Sequence, residues 1–241
     1  MTYSYTELSK MIDHSLLNPT LTVEQLEEGC QLALAYDVAS VCIMPYYMKR
    51  CTELLAGSTV MPSTTIGFPH GGHTTRIKCI EAEQAVADGC QELDMVVNIS
   101  KVLSGDWAYV QAEIREILAI AHQAKRKLKV IFENCYLNQQ QKIRLCEICS
   151  ALGADWVKTS TGYGTGGATI EDLKLMLQHV TPGIQVKAAG GVRDYATLVQ
   201  VKQLGVTRVG ASRTAEMLGE ARQQLQLPPI HFDRGSAPSG Y

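Results

Sequence analysis

Two lysines stand where their type and spacing could do chemistry. Lys158 lies in Asp155-Trp156-Val157-Lys158-Thr159-Ser160-Thr161-Gly162, and Lys187 in Gln185-Val186-Lys187-Ala188-Ala189-Gly190-Gly191. Each ends a short β-branched run. Two nearby, partly desolvated cations disfavour each other's charged form, so at least one pKa should fall. A neutral amine attacks a carbonyl and forms a Schiff base, and the resulting iminium is an electron sink for making or breaking an adjacent carbon–carbon bond. The other lysine can stay protonated as an acid or electrostatic partner. Spacing alone does not choose between them. Asp94, in Glu92-Leu93-Asp94-Met95-Val96-Val97-Asn98, is an aspartate inside an apolar run, which is costly unless paired. It would balance lysine charge and shuttle protons. A structural ion network would explain any one of these groups. The set of three points to catalysis, because perturbed groups concentrate at sites.

Three glycine-bearing segments complete the candidate site: Gly162-Tyr163-Gly164-Thr165-Gly166-Gly167, Gly190-Gly191-Val192-Arg193 and Gly210-Ala211-Ser212-Arg213. Glycine lets backbone approach a ligand closely. Backbone N–H groups at a helix start cradle phosphate. The Ser212 hydroxyl can donate, and Arg193 and Arg213 can add charge-assisted contacts.

These residues need elements that bring them together. Strand-like runs fall at 11–14, 38–43, 63–68, 91–98, 129–133, 155–159, 184–188 and 206–210, and helix-like segments follow at 22–36, 47–56, 75–87, 107–125, 139–152, 170–178, 195–203 and 214–224. Thr22, Asp106 and Asn138 are capping types at helix starts. Gly57, Gly89 and Gly153 are stop signals. Strict β-α alternation means parallel strands with crossover helices. Eight units close into a (β/α)8 TIM barrel, with an open doubly wound sheet as the rival. In a barrel, chemistry sits at the C-terminal strand ends. The polar residues there are Asp13 and His14, Cys42, His70, Asp94 and Asn98, Glu133, Lys158, Lys187 and Ser212.

The chain has 241 residues, close to the roughly 250 of a single barrel. We expect one catalytic domain over 1–231, with a mobile Gly/Ser/Pro-rich tail over 232–241. A formal net charge of −2, with no run of like charges, argues against nucleic acid or an anionic membrane as partner. The N-terminus lacks a secretory pattern, and no apolar stretch is long enough to span a membrane. Eight scattered cysteines then read as reduced and the chain as cytoplasmic. Cys146 and Cys149 form a CxxC on a helix-like segment, without a second pair to complete a zinc site. His70 and His73 likewise lack a completing ligand. Gly162, Gly164 and Gly167 match GxGxxG, but the next strand ends in Lys187 where the dinucleotide fingerprint needs an acid. We therefore expect no metal and no cofactor. Cys42 is either pocket lining or a small core residue.

At these residues the sequence resembles the deoxyribose-phosphate aldolase family of class I aldolases, over about residues 9–220. The resemblance rests on Ile12-Asp13-His14-Ser15-Leu16-Leu17, Gly67-Phe68-Pro69, Glu92-Leu93-Asp94-Met95-Val96, the two lysine motifs and Gly210-Ala211-Ser212. It implies reversible cleavage of 2-deoxy-D-ribose 5-phosphate to D-glyceraldehyde 3-phosphate and acetaldehyde. It implies Lys158 as the Schiff-base lysine, with Asp94 and Lys187 as the proton-transfer pair. It also implies Asp13 at the sugar end and Gly162, Gly190, Gly191, Arg193, Gly210, Ser212 and Arg213 around the phosphate. In some members a C-terminal tyrosine assists proton transfer, a role open to Tyr241. The implied partners are a small phosphorylated sugar and short aldehydes, and a homodimer is left open. Ala189, Tyr163 and Arg213 depart from the family's usual residues. Arg213 or Arg193 would then replace charge lost at Tyr163. Other Schiff-base barrel aldolases, a barrel isomerase using Asp94 and Glu133, and a non-catalytic sugar-phosphate sensor are the rivals.

Overall fold

The computed structural model describes residues 3–232. Eight parallel strands close on themselves in chain order, with the first strand paired to the last. They are β1 (Ile12–Leu16), β2 (Ser40–Ile43), β3 (Met61–Ile66), β4 (Glu92–Val96), β5 (Lys127–Ile131), β6 (Trp156–Lys158), β7 (Gln185–Ala189) and β8 (Arg208–Ala211). The helices are α1 (Tyr5–Ser9), α2 (Val23–Ala35), α3 (Met48–Leu54), α4 (Thr75–Ala87), α5 (Ile99–Leu103), α6 (Trp107–Gln123), α7 (Gln139–Leu152), α8 (Ile170–His179), α9 (Tyr195–Leu204) and α10 (Thr214–Gln224). The fold is a TIM barrel, and closure removes the open-sheet alternative.

Strand alternation explains both the core and the site. Val41, Leu93, Val130, Val157, Val186 and Val209 are completely buried in the apolar cluster, the layer where barrel strands meet their helices. Every second residue between them faces the barrel axis, and there the sequence is polar: Asp13, Glu92, Asp94, Lys129, Lys158, Lys187 and Arg208 are all buried. Their ionic contacts hold the barrel centre where aliphatic layers usually fill it.

Two helices lie outside the expected pattern. The five-residue α1 is closed by a capping box between Ser4 and Glu7. The helix α5 begins directly after Asn98, whose side chain accepts from the Lys101 N–H at 3.1 Å. Strand four therefore ends at Val96, and 97–98 turn into a helix. Strand five ends at Ile131, and Glu133 sits in left-handed backbone (φ 58°). Phe232, read as the first tail residue, packs partly buried against the core. The rest of the expected tail, with Tyr241, lies outside the described residues. Among the described residues no helix is long and apolar enough to cross a membrane. Cys146 and Cys149 are free and buried on α7, and burial raises the Cys146 thiol to about 12.

Candidate active site

Parallel register sets Lys158 of β6 beside Lys187 of β7, and Asp94 reaches them from across the barrel. Asp94 Oδ2 accepts from Lys158 Nζ and from Lys187 Nζ, each at 2.7 Å. One carboxylate oxygen thus bridges both amines. Lys187 Nζ also donates to Asp13 Oδ2 at 2.5 Å. Asp13 is fixed by the Ser40 hydroxyl, which donates to Oδ1 at 2.6 Å.

The electrostatics separate the two lysines. Burial lowers the pKa of each, but beside Asp94 the Lys158 ammonium ends above its ordinary value. Lys187 ends below, because burial and the neighbouring Lys158 and Lys129 cations outweigh Asp13 and Asp94. Burial opposes the Asp94 charge, yet Lys129, Lys158 and Lys187 together hold this carboxyl well below the usual range. Asp13 is held down in the same way against burial, by Arg208, Lys129 and Lys187. Of the two amines, Lys187 is the one whose charged form the surroundings disfavour. Both amines touch the same oxygen, so they titrate as one coupled unit.

Three charged residues of this network were not singled out from sequence. Lys129 Nζ lies 2.6 Å from Glu92 Oε2, 2.8 Å from Asp94 Oδ1 and 3.3 Å from Asp13 Oδ2. Arg208 donates to Asp13 Oδ1 at 2.6 Å and to both Glu92 oxygens at 2.8 and 3.0 Å. Its guanidinium lies over the Trp156 ring, 4.8 Å from the centroid. The signal was present: in Lys127-Leu128-Lys129-Val130 and Glu92-Leu93-Asp94-Met95 the apolar set packs outward, so the charged set must point to the axis.

Above the lysines opens a cavity lined by Asp13, Cys42, Lys158, Thr161, Lys187 and the loops after β6, β7 and β8. Gly162, Gly190, Gly191, Arg193, Gly210 and Ser212 line it. Asp94 lies beneath, behind the two amines. Arg213 precedes α10 and is exposed, and it is not among the lining residues. Cys42 is both buried and pocket-lining, and burial with Asp94 nearby raises its thiol pKa. Gly164 and Gly167 of the GxGxxG match serve packing between loops, while Gly162 lines the cavity. A Cβ on Gly167 would lie 2.5 Å from the Gly190 backbone, and one on Gly164 would lie 2.7 Å from Cys135 Sγ. Glu133 does not reach the cavity as an acid or base. It accepts the Thr161 N–H at 3.2 Å and the Thr161 hydroxyl, which clamps the β6–α8 loop. His70 and His73 are exposed in the loop before α4. Among the described residues no group of three or more metal-binding side chains assembles.

The model of the DeoC/LacD family aldolases matches residues 8–212. The chain belongs to that family of aldolases. It is 66% identical to the deoxyribose-phosphate aldolase of Rhodopirellula baltica over 239 residues, 99% of each chain. It is 43% identical to that of Thermococcus gammatolerans, covering 90% of this chain and 97% of the relative. Among solved structures, an aldolase called QR15 superposes with a TM-score of 0.85 at 34% identity, over 91% of this chain and 98% of that one. The deoxyribose phosphate aldolase of Aeropyrum pernix, described as a unique tetramer, does so with 0.83 at 28% identity, over 92% and 93%.

Two departures of this aldolase from the usual pattern acquire physical content. Ala189 is a small, buried cavity wall. Tyr163 donates its hydroxyl to the Leu17 carbonyl at 2.7 Å, and its ring meets Phe68 edge-on at 5.5 Å between centroids. It ties the β6–α8 loop to the end of β1 rather than presenting a charge.

Proposed function

We propose that this aldolase reversibly cleaves 2-deoxy-D-ribose 5-phosphate to D-glyceraldehyde 3-phosphate and acetaldehyde through a Schiff base on Lys158. The observation that carries the reading is the shared Asp94 oxygen. It joins an amine at the cavity floor, whose charged form it favours, to a second amine that releases its proton more easily. The homologues bearing the deoxyribose-phosphate aldolase name support the substrate.

The cycle follows from that arrangement. Open-chain substrate enters with its phosphate toward Gly190, Gly191, Gly210 and Ser212, whose backbone and hydroxyl groups suit an anion at a helix start. Asp94 passes the Lys158 proton to Lys187, leaving Lys158 neutral to attack the aldehyde. Lys187, now protonated, returns the proton as the carbinolamine loses water. The iminium draws electrons as the C2–C3 bond breaks and glyceraldehyde 3-phosphate leaves. Protonation of the enamine and hydrolysis release acetaldehyde. Asp13, bound to Lys187, orients that amine and reaches the sugar end. Arg193, at the cavity rim, supplies the phosphate charge that Tyr163 does not, and Arg213 makes no direct contact. Tyr241 assists proton transfer in this reading. The reaction needs no cofactor. The barrel acts as one catalytic domain in the cytoplasm, as a homodimer.

The test is borohydride reduction in the presence of acetaldehyde, followed by peptide mass analysis. A reduced two-carbon adduct on Lys158 is expected. An adduct on Lys187 would reverse the two roles, and active protein without any adduct would overturn the covalent mechanism.

A further inference from the structure

The proposed cycle uses Lys158, Asp94, Lys187 and Asp13, and leaves unused the charges below them. Glu92 opens β4 and Arg208 opens β8, so both stand at the N-terminal end of the barrel, opposite the cavity. Their side chains are 7% and 11% exposed. Neither lines the substrate cavity. Both connect to it without a break. Glu92 holds Lys129 at 2.6 Å, and Lys129 holds Asp94 at 2.8 Å. Arg208 holds Asp13 Oδ1 at 2.6 Å, and Asp13 Oδ2 holds Lys187 at 2.5 Å.

The charge count of this network is unequal. Facing the axis are Asp13 from β1, Glu92 and Asp94 from β4, Lys129 from β5, Lys158 from β6, Lys187 from β7 and Arg208 from β8. The titratable group on β2 is Cys42, whose thiol pKa is raised, and β3 brings only the hydroxyls of Ser63 and Thr65. Four bases meet three carboxylates. With every base protonated, one positive charge would be buried without a counter-charge, which a low-dielectric interior penalises. Loss of one proton balances the set. Arg208 cannot release it. Lys129 sits among three carboxylates, which hold it well above its ordinary pKa against burial. The missing proton is left to Lys158 and Lys187.

We infer that Glu92 and Arg208 form a positioning pair at the far end of the barrel, whose charges fix the number of protons shared by Lys158, Asp94 and Lys187. The inference rests on the Schiff-base reading above. The pair does not touch substrate. It sets the proton vacancy that makes one amine nucleophilic, and its two members act with opposite sign. Loss of the Glu92 charge leaves the amines among more uncompensated cations and favours their neutral form. Loss of the Arg208 charge does the reverse.

The test is the pH profile of kcat/KM, whose acidic limb reports the free-enzyme amine. Glu92→Gln is expected to move that limb to lower pH and Arg208→Gln to higher pH, each by roughly one unit, the effect of one charge several ångströms away at an intermediate dielectric. The double variant should return the limb toward the wild-type position. A merely structural role predicts loss of activity with no opposed displacement and no return. Limbs that stay put, or move the same way, overturn the inference. Borohydride trapping on Lys158 in the same variants keeps the two readings apart: adducts with unmoved limbs sink only this one, whereas no adduct in active wild-type protein sinks the mechanism beneath it. If the glutamine variants do not fold, the wild-type protein labelled with 13C at lysine Cε decides. The Lys158–Lys187 pair should then lose one proton below the ordinary lysine range, seen chiefly at Lys187, while Lys129 stays charged. Titration of Lys129 in that range, or of no interior lysine, overturns the inference.

Discussion

At the scale of single residues, the site works by division of labour around one oxygen. Asp94 Oδ2 is 2.7 Å from each amine, so the path of the proton is one atom wide. Lys187→Met keeps the length of the side chain and removes the acceptor. It should lower kcat by roughly 10²–10⁴, the usual worth of a positioned acid or base, while an adduct on Lys158 still forms slowly under borohydride. Steady-state kinetics and intact mass together check this, and unchanged kcat would remove Lys187 from the cycle. Asp94→Asn removes the anion that holds Lys158 above its ordinary pKa. Its amine should then titrate at lower pH, with the acidic limb of kcat/KM displaced downward. Turnover should still collapse, because the amide cannot relay the proton.

At the scale of elements, the loops after β6 and β7 are built against each other. Ala168 donates its N–H to the carbonyls of Ala189 at 3.1 Å and Gly190 at 2.8 Å, and Gly167 has no room for a Cβ beside the Gly190 backbone. Gly167→Ala should therefore push the two loops apart and raise KM for the phosphorylated substrate about tenfold or more, with Schiff-base formation from acetaldehyde, read by borohydride trapping, changed less. Equal loss in both reactions would mean general disruption. Glu133→Gln, which weakens the clamp on Thr161, should act in the same direction and more mildly. These roles were only half legible in sequence. The eight repeats and most helix limits were readable because caps and apolar alternation repeat in every unit; α4, α7 and α10 run over the expected residues. The short helices α1 and α5 were not, because five residues carry too little periodicity and tertiary packing decides them. Lys129, Glu92 and Arg208 were not legible because Glu92 and Arg208 open their strands and Lys129 lies mid-strand, away from the C-terminal ends where barrel chemistry is expected. The network extends down the axis, where only strict alternation reveals which charges face inward.

At the scale of the whole molecule, a barrel filled with charge ties stability to pH. Asp13 and Asp94 have folded pKa values held well below the unfolded aspartate value. A depressed carboxylate contributes stability that is complete above the unfolded pKa, near 3.9, and is lost as pH falls through the folded one. Denaturant titrations should show this part of the stability level above about pH 5 and falling steeply below about pH 4; a protein equally stable at pH 3 and pH 6 would contradict the buried ionic centre. A second buried pair lies outside the site. Lys78 of α4 donates to Glu113 of α6 at 2.8 Å and to the Val96 carbonyl at 2.8 Å, while Glu113 also accepts the Asn98 N–H at 2.9 Å. Both side chains are fully buried. Burial lowers the Lys78 pKa and raises that of Glu113, so each is driven toward neutrality and the pair gains little over apolar packing. Removing one partner strands the other. Lys78→Met should cost about 3–5 kcal/mol, read as a lower denaturation midpoint at unchanged slope. Adding Glu113→Gln should recover most of that loss, because the amide still accepts from Asn98 and carries no charge. A double variant no more stable than Lys78→Met would mean that the Lys78 contact with Val96, rather than the stranded carboxylate, holds the loop after β4 in place.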